Sequence, residues 1–130
     1  MKVVYIAGRF RGADGWAVRC NVHAAEAAAR QVVALGAMPC TPHSIGANMA
    51  GTASDAFWLA GTLELMRRCD AVLVLPGYET SEGTKGEIAE ARSRSIPVFL
   101  PDWSTGEPNW SKFEQWLEES KSTPSGSPPT

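Results

Sequence analysis

Short apolar or β-branched runs alternate with stretches of helical period four times along the chain. That alternation constrains the fold more than any single motif does. The first run, KVVYIA over residues 2–7, ends at Gly8 and reads as a buried strand. Val18, Val22, Ala25, Ala29 and Val32 then recur at a 4-3-4-3 spacing, which predicts a helix ended by Gly36. Residues 38–41 form a second short strand stopped by Pro42, and residues 42–54, rich in Gly, Ser, Ala and Asn, read as a loop. Ser54 is placed to cap a helix beginning at Asp55, with Ala56, Leu59, Ala60, Leu63 and Met66 as its core positions. The uninterrupted run AVLVL over residues 71–75 suits a strand covered on both faces. A third helix over 84–95, a fourth strand over 97–100 and a last helix over 108–119 complete the series. The last helix is amphipathic and sets Trp110, Phe113, Trp116 and Leu117 on one side.

This order predicts an α/β fold, a small doubly wound and mainly parallel sheet of about four or five strands with flanking helices. One domain is expected over residues 1–120, followed by a disordered Ser/Pro-rich tail over 121–130. If the strand order is 2-1-3-4, the first and third strands are neighbours, and ligands bind beyond their carboxyl ends. The loops GRFRGADG (8–15) and PGYETSEGTKG (76–86) then flank one crevice.

Composition narrows the partners. A net charge of −2 with 44% apolar and 20% charged residues fits a globular protein and gives no basis for long nucleic acid or an anionic membrane as partner. No apolar run is long enough to span a membrane, and MKVVYIAG is too short and strand-like for a signal peptide. Cys20, Cys40 and Cys69 are widely spaced, without metal-type pairing, so small buried hydrophobes in a reducing, cytoplasmic setting are expected. No metal and no cofactor are implied.

Within the first loop, Arg9 and Arg11 are fixed cations that can bind a phosphate or carboxylate, or simply remain solvated. In the second loop, Gly77, Gly83 and Gly86 let backbone approach a ligand closely, and the start of the following helix favours an anion. Ser81 can donate to a phosphate or sugar oxygen, or cap that helix. Lys85 lies two residues before Glu87 and would help keep that carboxylate ionised, as a nucleophile requires, whereas Glu90 is expected to face solvent. His43, after a strand end, can exchange a proton near neutral pH or bond to backbone; His23, inside the first helix, is structural or exposed. Trp16 and Trp58 can stack on a base or pack in the core.

Tyr5 in VVYIAG, the GRFRG loop, the Pro42–His43 pair, CDAVLVLPG and S-x-G-x-x-G-E over 81–87 together resemble the nucleoside 2-deoxyribosyltransferase superfamily. The resemblance covers about residues 2–100 and includes the deoxynucleoside 5′-monophosphate N-glycosidase branch. It implies a Rossmann-like sheet and chemistry at the N-glycosidic bond of a deoxynucleoside or its 5′-monophosphate. Glu87 then takes the place of the nucleophile, with Tyr5 near the sugar and the catalytic carboxylate. Ser81 and Arg11 match phosphate-contacting residues of the monophosphate branch, and Gly8, Arg9, His43, Gly77, Gly83, Lys85 and Gly86 complete the implied substrate loops. The resemblance also implies a homodimer or higher homo-oligomer in which a neighbour can complete the site.

Two positions depart from the family pattern. The second glycine of S-E-G-T-K-G-E falls one place later than is common there. Thr62, eight residues before Asp70, stands where the family carries an aspartate, and threonine is no carboxylic acid. Asp55 is about 10 Å further along the helix, and Glu64 is turned about 200° away from Thr62. The alternative reading is therefore a non-catalytic nucleotide-binding module, with a structural or interaction protein as the third.

Overall fold

In the computed structural model, which describes residues 1–49 and 51–122, two short apolar strands form the centre. These are β1 (Val3–Ala7) and β3 (Ala71–Val74), paired in parallel with Tyr5 opposite Val72. Every residue of β3 and four of the five in β1 are buried, so both strands can be continuous hydrophobic runs without exposing apolar surface. β2 (Met38–Cys40) pairs with the other edge of β1, Cys40 opposite Tyr5, and β4 (Val98–Phe99) pairs with β3. The order β2-β1-β3-β4 is the one expected, all parallel.

Side chains alternate across this sheet and divide the core in two. Val4, Ile6, Leu73 and Leu75 pack against Ala25, Ala28 and Val32 of α1 (Gly15–Ala34) and Phe113 and Leu117 of α5 (Trp110–Ser122). On the other face Tyr5, Ala7, Val72 and Val74 meet Met66 of α3 (Asp55–Arg67) and Ile88 and Ala91 of α4 (Glu82–Ser93). Helices thus cover both faces, as the doubly wound pattern requires. Trp110 and Trp116 pack partly buried against the first core, edge-on or tilted to Phe113.

The local signals explain most boundaries. Asp14 caps α1, accepting from the Ala17 amide at 2.9 Å, and Gly36 takes φ +94 two residues beyond the helix. Ser54 caps α3 through the Phe57 amide. Asn109 does the same for α5 through Lys112.

Four expectations need correction. Residues 42–49, read as loop, form helix α2 (Pro42–Met49). Proline at the first helical position needs no N–H there and has a suitable φ, while Ser44 on α2 bonds Glu26 of α1 at 2.9 Å. In α3 the projected core stripe is only half right: Met66 is buried and Leu63 half-buried, but Ala56, Leu59 and Ala60 are exposed. The period marked an apolar face correctly but not what that face meets. α4 begins two residues before the expected start, because Ser81 rather than a later residue is its cap. Finally, β5 (Pro101–Asp102) and β6 (Glu107–Pro108) form an unforeseen antiparallel ladder around a turn with Gly106 at φ +73. Of the tail read as disordered, Lys121 and Ser122 belong to α5 and residues 123–130 lie outside the described residues.

Candidate active site

The chain changes sides of the sheet between β1 and β3, and both loops singled out in the sequence leave from their carboxyl ends there. The Leu75 amide donates to the Ala7 carbonyl at 2.8 Å, so the loops start side by side. Gly8 is required by this approach: a Cβ there would lie 2.7 Å from Leu75 Cδ1 and 2.9 Å from its Cβ. Gly77, at φ +89, turns the second loop into a short 3₁₀ turn over Tyr78–Thr80.

Glu87 on α4 reaches back to β1, where the buried Tyr5 hydroxyl donates to its Oε2 at 2.5 Å. Burial pushes the Glu87 carboxyl up to about 7, against the opposing effect of the Tyr5 hydrogen bond. The Tyr5 phenol is raised in turn, first by burial and then by the neighbouring carboxylate, so it remains a donor. The Thr62 hydroxyl donates to the Leu59 carbonyl at 3.2 Å and also interacts with the Tyr5 hydroxyl. Glu87, Tyr5 and Thr62 therefore form one cluster from three separate elements. Cys40, level with Tyr5 on β2, and Cys69, whose thiol donates to the Leu65 carbonyl at 3.3 Å, belong to the same face of the core.

On α4, Gly83 and Gly86 precede Glu87 by four residues and one, and a Cβ at either position would meet open space. This smooth surface leaves room for a ligand over the first turns of the helix. Ser81 Oγ accepts from the Thr84 amide at 3.2 Å and the Thr84 hydroxyl at 2.8 Å, so it is a cap whose own proton remains to be donated. Lys85 does not serve Glu87: it pairs with Glu82 at 2.7 Å, since residues two apart point to opposite sides of a helix. Glu90 also differs from expectation, held half-buried between Arg67 and Arg94 and kept well below the usual carboxylate range by them.

The first loop is clamped from below. His43 is 3% exposed, with Nε2 3.1 Å from the Gly8 carbonyl and 3.0 Å from that of Arg9. Carbonyls only accept, so Nε2 carries the proton; Nδ1 is buried without a hydrogen-bond partner. Burial holds the imidazole's pKa below its ordinary value. Of the two readings of His43, proton exchange or a bond to backbone, the structure shows the bond to backbone. Asn21, which the sequence did not single out, bonds the Phe10 and Arg11 carbonyls. Arg9 is exposed, and Arg11 pairs with Asp55 at 2.9 Å across an open surface. Trp16 is 68% exposed under the Arg19 guanidinium, so neither it nor its helix end adds to the core.

A cavity of about 230 Å³ opens between α2 and α3, lined by Pro42, Ile45, Phe57, Trp58, Gly61, Thr62 and Leu65. Thr62 joins this cavity to the Tyr5–Glu87 pair. Sequence reasoning missed it because it took 42–49 as loop and pointed α3 fully inward. Among the described residues, no three His, Cys, Asp or Glu side chains are grouped to hold a metal ion, and no helix is long and apolar enough to cross a membrane.

The sheet order and its two-sided helical cover are those of the nucleoside deoxyribosyltransferase fold. A solved 2-deoxyribosyltransferase from Bacillus psychrosaccharolyticus superposes with a TM-score of 0.57 over 75% of this chain and 70% of that one, at 19% identity. The chain belongs to the family described as Domain of unknown function (DUF7768), whose model matches residues 2–100. No curated protein matches it.

Proposed function

We propose that this protein cleaves or transfers at the N-glycosidic bond of a deoxynucleoside, preferably a deoxynucleoside 5′-monophosphate, with Glu87 as nucleophile. The observation that carries the reading is the part-buried Tyr5–Glu87 pair at the strand-order reversal, 2.5 Å between hydroxyl and carboxylate. A carboxyl with a pKa of about 7 is substantially ionised at neutral pH, and its buried oxygen is less stabilised by water than a surface carboxylate. Tyr5 orients it by holding one oxygen. The fold neighbour's name, a 2-deoxyribosyltransferase, supports the same chemistry. Ser81 and Arg11 would contact the 5′-phosphate, Arg11 by exchanging its exposed partner Asp55 for the ligand. The free thiols fit a reducing cytoplasm, residues 1–120 act as one domain, and the active form is a homo-oligomer.

Incubation with deoxynucleosides and their 5′-monophosphates should release free base, read by chromatography, and Glu87→Ala should lower the rate on the order of 10³-fold or more. No base from any member of the panel would overturn the reading. A second reading, a nucleotide-binding module without turnover, is favoured by one observation: the side chain beside the pair that faces the cavity is the Thr62 hydroxyl, not an acid. It predicts nucleotide binding that survives Glu87→Gln with no product formed.

A further inference from the structure

Breaking an N-glycosidic bond leaves an electron pair on the ring nitrogen of the departing base. A neutral base carries that pair off well only if an acid protonates it; a base already cationic in the substrate needs no proton. The cavity between α2 and α3 bears on this choice, because Thr62 lines it and lies against Tyr5, the partner of Glu87. Its lining is Pro42, Ile45, Phe57, Trp58, Thr62 and Leu65 together with Gly61. The polar side-chain groups in that set are the Trp58 indole N–H and the Thr62 hydroxyl, and neither gives up a proton near neutral pH. The carboxylates nearest in sequence lie off the cavity. Asp55 is 74% exposed and outside the lining, and Glu64 is bound to Arg67 and Arg68 on the outer side of α3. The Tyr5 proton is committed to Glu87.

The aromatic part of the lining suits a flat cationic ring. Phe57 and Trp58 meet edge to face, with centroids 5.5 Å apart. An aromatic face attracts a cation and offsets part of its loss of water. The volume of about 230 Å³ is below the roughly 300–1,000 Å³ of sites that take a whole ligand, so the cavity fits the ring alone.

Resting on the glycosidic reading above, we infer that the substrate's leaving group is a heteroaromatic base bonded through a quaternary, positively charged nitrogen, a pyridinium nucleotide being the simplest case. A Glu87 oxygen bonds to C1′ as the C1′–N bond breaks, and the bonding pair passes to nitrogen and cancels its charge. The base leaves neutral, with no proton transferred. Water then attacks C1′, the glutamyl ester bond breaks, and the water's second proton passes to solvent. Positive charge disappears from the apolar cavity as the bond breaks, so the surroundings favour the transition state over the bound cation.

The test compares nicotinamide 2′-deoxyribonucleotide with deoxyadenosine 5′-monophosphate, each kcat/KM divided by the rate constant of the enzyme-free reaction. The expected ratio favours the pyridinium substrate by about tenfold or more, since a placed acid ordinarily contributes roughly 10²–10⁴-fold to neutral substrates. Its pH profile should rise through a single ionisation and then stay level to alkaline pH, with no descending acid limb. Thr62→Asp, which sets a carboxyl in the cavity, should speed release from deoxyadenosine 5′-monophosphate by about 10²-fold. An equal or larger acceleration for the neutral substrate, dependent on Glu87, would overturn the inference and leave the glycosidic reading standing. Absence of turnover on both substrates would overturn the inference, and absence across the whole panel of deoxynucleosides and monophosphates would overturn the glycosidic reading with it. A misfolded Thr62→Asp variant leaves the wild-type comparison and pH profile to decide.

Discussion

Two opposing effects act on the Glu87 carboxyl, and the larger is loss of water: burial raises its pKa to about 7 although the Tyr5 hydroxyl favours the charged form. The consequence for folding has a definite sign. The folded state holds this proton more tightly than the unfolded chain, so stability is lost as pH rises from about 4.5 through about 7. The shift corresponds to a penalty of roughly 3 kcal/mol at alkaline pH. Glu87→Gln keeps an acceptor for Tyr5 without the charge and is expected to stabilise the fold by roughly 1–3 kcal/mol at pH 8. Near pH 4 the gain should vanish. Urea unfolding at the two pH values checks this, and equal midpoints for wild type and variant at pH 8 would contradict it. His43 acts in the opposite sense. Its proton is held less tightly in the folded state, so its contribution is complete above the ordinary histidine pKa and falls as pH drops below that value. Such a cost at Glu87 agrees with its proposed role, in which reactivity rather than stability sets the environment.

At the level of elements, the two loops are shaped by different constraints. The loop after β1 is held from outside by His43 of α2 and Asn21 of α1, both through its carbonyls. The loop after β3 is held by its own helix, through the Ser81 cap. Ser81→Ala removes the cap and is expected to cost about 1 kcal/mol. Ser81→Gly should cost only a few tenths, because glycine is tolerated at a cap. If the hydroxyl also meets a phosphate, both variants should raise KM for monophosphates more than for nucleosides. Gly8→Ala is a harder change, since the new methyl would press on Leu75 between two buried strands. A loss of roughly 1–3 kcal/mol by denaturant unfolding is expected. A neutral result there would mean that the strand ends separate easily.

For the whole molecule, the exposed side of α3 has the main consequence. Among the described residues nothing covers the apolar stripe of Ala56, Leu59 and Ala60, and Leu59 is 55% exposed. A stripe of this kind is a place where a second molecule can pack. If that molecule is a second copy, light scattering should give at least two copies of the 13.9 kDa chain, and Leu59→Glu should return one. A wild-type mass of one copy would count against the oligomer. The sequence by itself determined the four strands of the parallel sheet, its two-sided cover and the loops of the candidate site, because buried strands, helical periods and glycine turns are local patterns. It also singled out Tyr5 and Glu87 as a pair through resemblance. Only the tertiary structure decided that His43 is a clamp and that α2 and α3 enclose a cavity ending at Thr62. The physical reason is common to both. Period and capping say which side of a helix is apolar and where it starts, but not what lies against a side chain brought in from another element.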